Sequence, residues 1–190
     1  MAREDLARAK KKAEVEGREL VFLDESGFRV LPLVCRTWAP VGEQPVARYA
    51  PAKKHLSVIS AITATGRVFF GMEERSLVSE DVIRFVRRVQ RCVGKPLLLV
   101  WDGAGIHTSK VVRRALTEGL SPGVWLVRLP PYAPDLNPDE AVWSYLKRKL
   151  ANVCCLNLED LKARLRRQIA LLRPKRGLVV SFFGSAGLSL

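Results

Sequence analysis

Three carboxylates in this chain stand against apolar segments: Asp24 in LVFLDESGF, Asp102 in LLLVWDGAGIHTS, and Glu140 in LPPYAPDLNPDEAVWSYLK. Carboxylate oxygens are hard donors of the kind Mg²⁺ and Mn²⁺ select. Three of them gathered from distant sequence could hold two such ions roughly 3.5–4 Å apart. That arrangement activates a water or a 3′-hydroxyl and stabilises the leaving oxygen of an in-line phosphoryl transfer. The residue types therefore point to phosphodiester chemistry.

The elements must bring the three together. Residues 19–24 and 96–102 are short, nearly continuous apolar runs ending in Asp, as expected of strands buried on both faces of an α/β sheet. If the two strands are parallel neighbours, both aspartates emerge at one sheet edge, where open α/β sheets bind their ligands. Glu140 opens a helix instead. Asn137-Pro138-Asp139-Glu140 reads as an N-cap, a proline at the first helical position and an acid at the third, so capping is a second explanation for that carboxylate. Asp135 and Asp139 are the nearest alternatives as third ligand. Glu25 should point to the opposite side of its strand from Asp24.

The phrases FLDESGF, VWDGAGIHTS and PPYAPDLNPDEAVWSYLK resemble the three catalytic blocks of the mariner-related bacterial insertion-sequence transposases, DDE endonucleases with a ribonuclease H-like fold. The resemblance runs from about Leu20 to Leu161. It departs at Gly103, where Asn is more usual, and at Asp139, where an apolar residue is usual. It implies that Asp24, Asp102 and Glu140 are the catalytic and metal-binding triad, with Mg²⁺ or Mn²⁺, two ions, as cofactor. The implied reaction is DNA strand cleavage followed by strand transfer at insertion-sequence ends, on transposon and target DNA, by a homo-oligomer. His107 enters as a candidate DNA contact. Two other readings use the same residues: a nuclease of the same fold that cuts without joining, and a non-catalytic DNA-binding fragment of a transposase.

Charge agrees with a polyanionic partner. The formal net charge is +13 and the isoelectric point is near 10.1; basic residues on phosphates gain by releasing counterions. The excess is concentrated late in the chain, where residues 141–190 hold ten Lys and Arg against Glu159 and Asp160. Lys147, Arg148, Lys149, Arg166 and Arg167 are the candidate phosphate contacts.

With 190 residues and 48% hydrophobic content, the chain can bury a sizeable core. The expected organisation is a basic helix or linker remnant over 1–18, a ribonuclease H-like mixed α/β sheet flanked by helices over 19–172, and a tail over 173–190. Strands are expected near 20–24, 55–62, 67–71, 96–102 and 124–129, with a hairpin turn at Thr63–Gly66. Helices are expected over 2–16, from Ser79, over 109–118, 138–151 and 158–172. The four cysteines lack CxxC spacing and are expected as reduced thiols, mostly in the core. The absence of an 18-residue apolar run and of a signal sequence predicts a cytoplasmic, nucleoid-associated protein. About 18 residues before the first strand are too few for a helix-turn-helix, so a separate or frameshift-fused chain is expected to supply one.

Overall fold

The computed structural model describes residues 2–43, 46, 54–102, 109–120, 123–130 and 133–188. Helix α1 (Ala2–Val15) is stopped by Gly17, whose positive φ of 66° suits a residue without a Cβ. Strand β1 (Glu19–Arg29) follows. A hairpin of β2 (His55–Thr63) and β3 (Val68–Glu73) turns through Gly66 at φ 79°. Helix α2 (Ser79–Val93) leads to β4 (Leu97–Trp101). A short helix α3 (Lys110–Arg114) runs into a π-helical turn at Ala115–Leu120 before β5 (Val124–Arg128). A 3₁₀ turn at Pro134–Leu136 then leads to helices α4 (Asp139–Lys149), α5 (Leu158–Leu172) and α6 (Arg176–Ser185).

The five strands form one mixed sheet in the order β3-β2-β1-β4-β5. β1 is antiparallel to β2 and parallel to β4, and β4 is parallel to β5. Because successive side chains of a strand point to opposite faces, one alternation sorts the core into two layers. Leu20, Phe22, Leu98 and Val100 pack with α1, α4, α5 and α6 on one face. Val21, Leu23, Leu97, Leu99 and Trp101 pack with α2 and α3 on the other. Both faces of β4 are buried, which is why its sequence is an unbroken apolar run.

Three expectations need correction. β1 does not end at Asp24; it continues to Arg29 along β2, while its pairing with β4 stops at Phe22. Residues expected as a tail carry α6, because Val179, Phe182 and Phe183 are buried and Phe183 meets Phe22 edge-on at 5.6 Å between centroids. Of the cysteines only Cys155 is buried; Cys35 and Cys92 are exposed and Cys154 is half-buried, and all four are free thiols. Among the described residues no helix is long and apolar enough to cross a membrane.

Candidate active site

The parallel pairing of β1 with β4 positions the two aspartates. Phe22 is opposite Val100, where the pairing of the two strands ends; Asp24 follows two positions later on β1 and Asp102 just past the end of β4, so both lie toward one edge of the sheet. Asp24 shares the alternation of Phe22 and belongs to the face covered by α4, where Trp143 meets it. Glu25 falls on the other alternation, as expected, and is half-buried.

Asp24 is buried and its carboxylate is held at both oxygens. The Trp143 indole Nε1–H donates to Oδ2 at 3.0 Å, and the Glu25 backbone N–H donates to Oδ1 at 2.9 Å. Burial disfavours its charged form; the two donors work against that, and the charges of Glu25 and Glu140 add to it, leaving its pKa raised to about 7. Trp143 thus joins the core to the site, packing edge-on against Phe28 and Phe70 while its N–H orients a carboxylate.

The third block behaves differently at its two acids. Asn137 Oδ1 accepts from the Asp139 N–H at 3.2 Å across the turn that leads into α4; the N-cap position itself is Pro138, one residue later than the sequence suggests. The Asn137 N–H donates to the Pro134 carbonyl at 2.8 Å, which leaves no capping box for Glu140 to close. Asp139 is fully buried. It accepts from the Ser60 hydroxyl, and Ser60 is the cross-strand partner of Asp24 on β2. Its second oxygen, Oδ2, has no hydrogen-bond partner among the described residues. Burial first, then the neighbouring charges of Asp24, Glu25 and Glu140, push the Asp139 pKa well above the carboxylate range, against the Ser60 hydrogen bond. Glu140 is exposed and lines an open cleft of about 340 Å³ with Asp135, Asn137, Ser144 and Ser185.

Asp24, Asp139 and Glu140 therefore lie within electrostatic reach of one another, and Asp102 leaves β4 at the same edge of the sheet. Among the described residues no three His, Cys, Asp or Glu side chains converge on one metal-sized point. The donor set is nonetheless all hard oxygen, and a divalent cation would offset both the burial that chiefly disfavours the Asp24 charge and the smaller repulsion from Glu25 and Glu140, so these residues fit Mg²⁺ or Mn²⁺. His107 and Tyr132 lie outside the described residues.

The basic candidates sit on the helices that cover this face. Lys147 and Lys149 extend over the rings of Phe28 and Tyr145, with Nζ 5.9 and 5.7 Å from the centroids. Arg148 donates to the Ser144 carbonyl at 3.3 Å, and Arg166 and Arg167 are exposed on α5. Sequence reasoning missed Ser60 and the polar role of Trp143. The signal for Ser60 was a hydroxyl at an inward position of the apolar strand HLSVISAIT.

The signature of the family described as DDE superfamily endonuclease spans residues 19–162, and the chain belongs to that family. Solved structures agree on the fold. The crystal structure of the catalytic domain of Mos1 mariner transposase superposes with a TM-score of 0.62 at 17% identity, over 100% of this chain and 91% of that one. The Mos1 mariner paired-end complex with Mn gives 0.69 at 19% identity, over 98% and 56%, and the Mos1 strand transfer complex gives 0.64 at 19%, over 100% and 60%. The fold is thus ribonuclease H-like, as in the Mos1 catalytic domain. The chain spans about three-fifths of the length of the Mos1 chains in those two complexes. No curated protein matches it by sequence.

Proposed function

We propose that this chain is the catalytic domain of a DNA transposase that cleaves DNA at insertion-sequence ends and joins the freed end to a target. Asp24, Asp102 and Glu140 act as the catalytic triad. The observation that supports the reading is the parallel pairing of β1 with β4, which brings the strand ends that carry Asp24 and Asp102 toward one edge of the sheet, with the charges of Asp139 and Glu140 at the start of α4 near Asp24.

The three carboxylates would hold divalent metal, Mg²⁺ or Mn²⁺, the ions of the Mos1 paired-end complexes. When bound, such ions supply an activated oxygen nucleophile and stabilise charge on the leaving oxygen. The protein's own residues provide the positioning. Trp143 and the Glu25 N–H fix the orientation of Asp24. Ser60 and Asp139 tie the start of α4 to β2, which holds Glu140 at the edge of the sheet, open to substrate. Lys147, Arg148, Lys149, Arg166 and Arg167 would neutralise phosphates, with DNA as the partner and a homo-oligomer on DNA as the working assembly.

The test is to incubate the purified chain with supercoiled DNA and with end-mimicking duplexes in Mg²⁺, Mn²⁺ or EDTA. The proposal expects nicking and joining with either metal and neither with EDTA. Cutting without joining would favour a nuclease of the same fold, and cleavage in EDTA would remove the triad from the chemistry.

A further inference from the structure

The sheet face opposite the carboxylates carries a groove between α2 and α3, with a volume of about 730 Å³. Its walls are Arg84, Arg87 and Arg91 from α2 and Arg114 from α3. Its floor is apolar, made of Ile83, Val111 and Ala115, and its acids are Glu80 and Glu118. The spacing of 84, 87 and 91 is that of a single exposed helix stripe. The opposite stripe, Val82, Phe85, Val86 and Val89, is buried against the sheet.

The four arginines differ in how they are held. Arg84 bonds the buried Asp81 and lies 3.7 Å from Glu73; Arg114 bonds Glu118 at 2.8 Å. Arg87 and Arg91 are exposed and have no carboxylate partner among the described residues. They stand one turn apart, about 6 Å along the helix, a spacing from which neighbouring phosphates of one DNA strand can both be met.

Position makes the groove relevant to the site. α2 runs into β4 from the edge at which Asp102 leaves the strand, and α3 starts from that edge. The two helix starts touch there, with the Ser79 and Ser109 hydroxyls 2.8 Å apart. The groove therefore opens at the candidate catalytic edge and runs back along α2, for about 20 Å if it follows the helix to its end.

We propose that this groove is a second track for the backbone of duplex DNA, separate from the basic helices α4 and α5, holding DNA that passes the catalytic edge on the α2 side of the sheet. The inference rests on the DNA reading above. Phosphates are the ligand chemistry because the lining is guanidinium over an apolar floor. The partner is duplex rather than splayed bases, since no aromatic ring among the described lining residues offers a stacking platform. Arg87 and Arg91 make the contacts that are free to form, and Arg84 and Arg114, already ion-paired, shape the walls.

The experiment measures affinity for a random-sequence duplex across a salt series. It compares the wild-type chain with the double variants Arg87→Gln/Arg91→Gln and Arg87→Lys/Arg91→Lys. The proposal expects the glutamine pair to flatten the log–log salt slope by about 0.9 for each phosphate left without its cation, and the lysine pair to restore it. Combining the glutamine pair with Lys147→Gln/Lys149→Gln should flatten the slope further by the full amount of each set, as independent tracks require. A wild-type slope in the glutamine pair, at unchanged melting temperature, overturns the proposal while leaving the DNA reading intact. If that pair melts early, the single variants Arg87→Gln and Arg91→Gln decide by the same slope, which must then fall by about 0.9 in each. If the wild-type chain does not bind duplex at all, the DNA reading and this inference fall together.

Discussion

The two faces of the sheet hold charge in opposite ways. On the α4 face, Asp24 and Asp139 are buried beside one another, each raised in pKa chiefly by desolvation. On the α2–α3 face, Arg87 and Arg91 stand exposed on a helix whose other side is core. One strand alternation produces both layers. Asp24 and Asp139 sit where water is scarce and the charged form is destabilised, whereas Arg87 and Arg91 stay solvated at little cost to the fold. Separable functions should follow.

The largest effect expected is on chemistry. Asp24→Asn and Asp102→Asn should each lower metal-dependent cleavage roughly a thousandfold or more, since carboxylates acting as one unit fail together. Their affinity for duplex DNA and its salt slope should match wild type. A flattened salt slope in either variant would break the division between the faces.

Next is the stability of the metal-free chain. Asp139→Asn keeps an acceptor for the Ser60 hydroxyl and removes a buried ionisable group, so it should stabilise the chain at pH 8 by the order of 1–3 kcal/mol, read by denaturant or thermal unfolding. A loss of stability would mean that the buried carboxylate is itself favourable.

The same groups set a pH dependence. The folded-state pKa of Asp24, about 7, and that of Asp139, also raised, lie above the unfolded value of about 3.9. The Asp24 contribution is fully present below that unfolded value and is lost as pH rises through about 7, and that of Asp139 is lost as pH rises through its own raised value. The metal-free melting temperature should therefore fall between about pH 4 and pH 8. Asp81 and Asp160, with lowered pKa values, work in the opposite sense at more acidic pH, where stability falls as they are protonated. Adding Mg²⁺ near pH 8 should recover part of the loss, and a flat profile from pH 4 to 8 would count against the buried pair.

The smallest effect is local. Trp143→Phe keeps a ring in the core and removes the N–H that Asp24 accepts, at a cost of about 1 kcal/mol. Because that bond favours the charged form, the acidic limb of the cleavage pH profile should move to higher pH. An unmoved limb with lower stability would make Trp143 packing alone.

Much of this was legible in the sequence for reasons that can be named. β4 reads as a strand because both its faces are buried. The β2–β3 hairpin reads from Gly66, and α5 reads from its leucine period; the cap at its start, Asn157 accepting from the Asp160 N–H at 2.9 Å, is seen only in the structure. Asp24 and Asp102 were visible because each follows a buried run. α6 was not, because GLVVSFFGSAG has no helical period and is held by tertiary contact with Phe22 and Tyr145. Nor was the separation of Asp139 from Glu140 legible. Adjacent helical residues point about 100° apart, and only the position of β2 under α4 decides which is buried on Ser60 and which faces the cleft.

That separation gives the most direct test of the central claim, that Glu140 completes a metal-dependent DNA-cleaving site with Asp24 and Asp102. Cleavage of an end-mimicking duplex in Mg²⁺ should be measured side by side for Glu140→Gln and Asp139→Asn, each with its melting temperature. The triad as assigned predicts that Glu140→Gln loses cleavage at unchanged stability, since it closes no capping box, whereas Asp139→Asn retains most cleavage and melts higher. Cleavage surviving in Glu140→Gln and vanishing in a folded Asp139→Asn would contradict it and move the third carboxylate to the buried position.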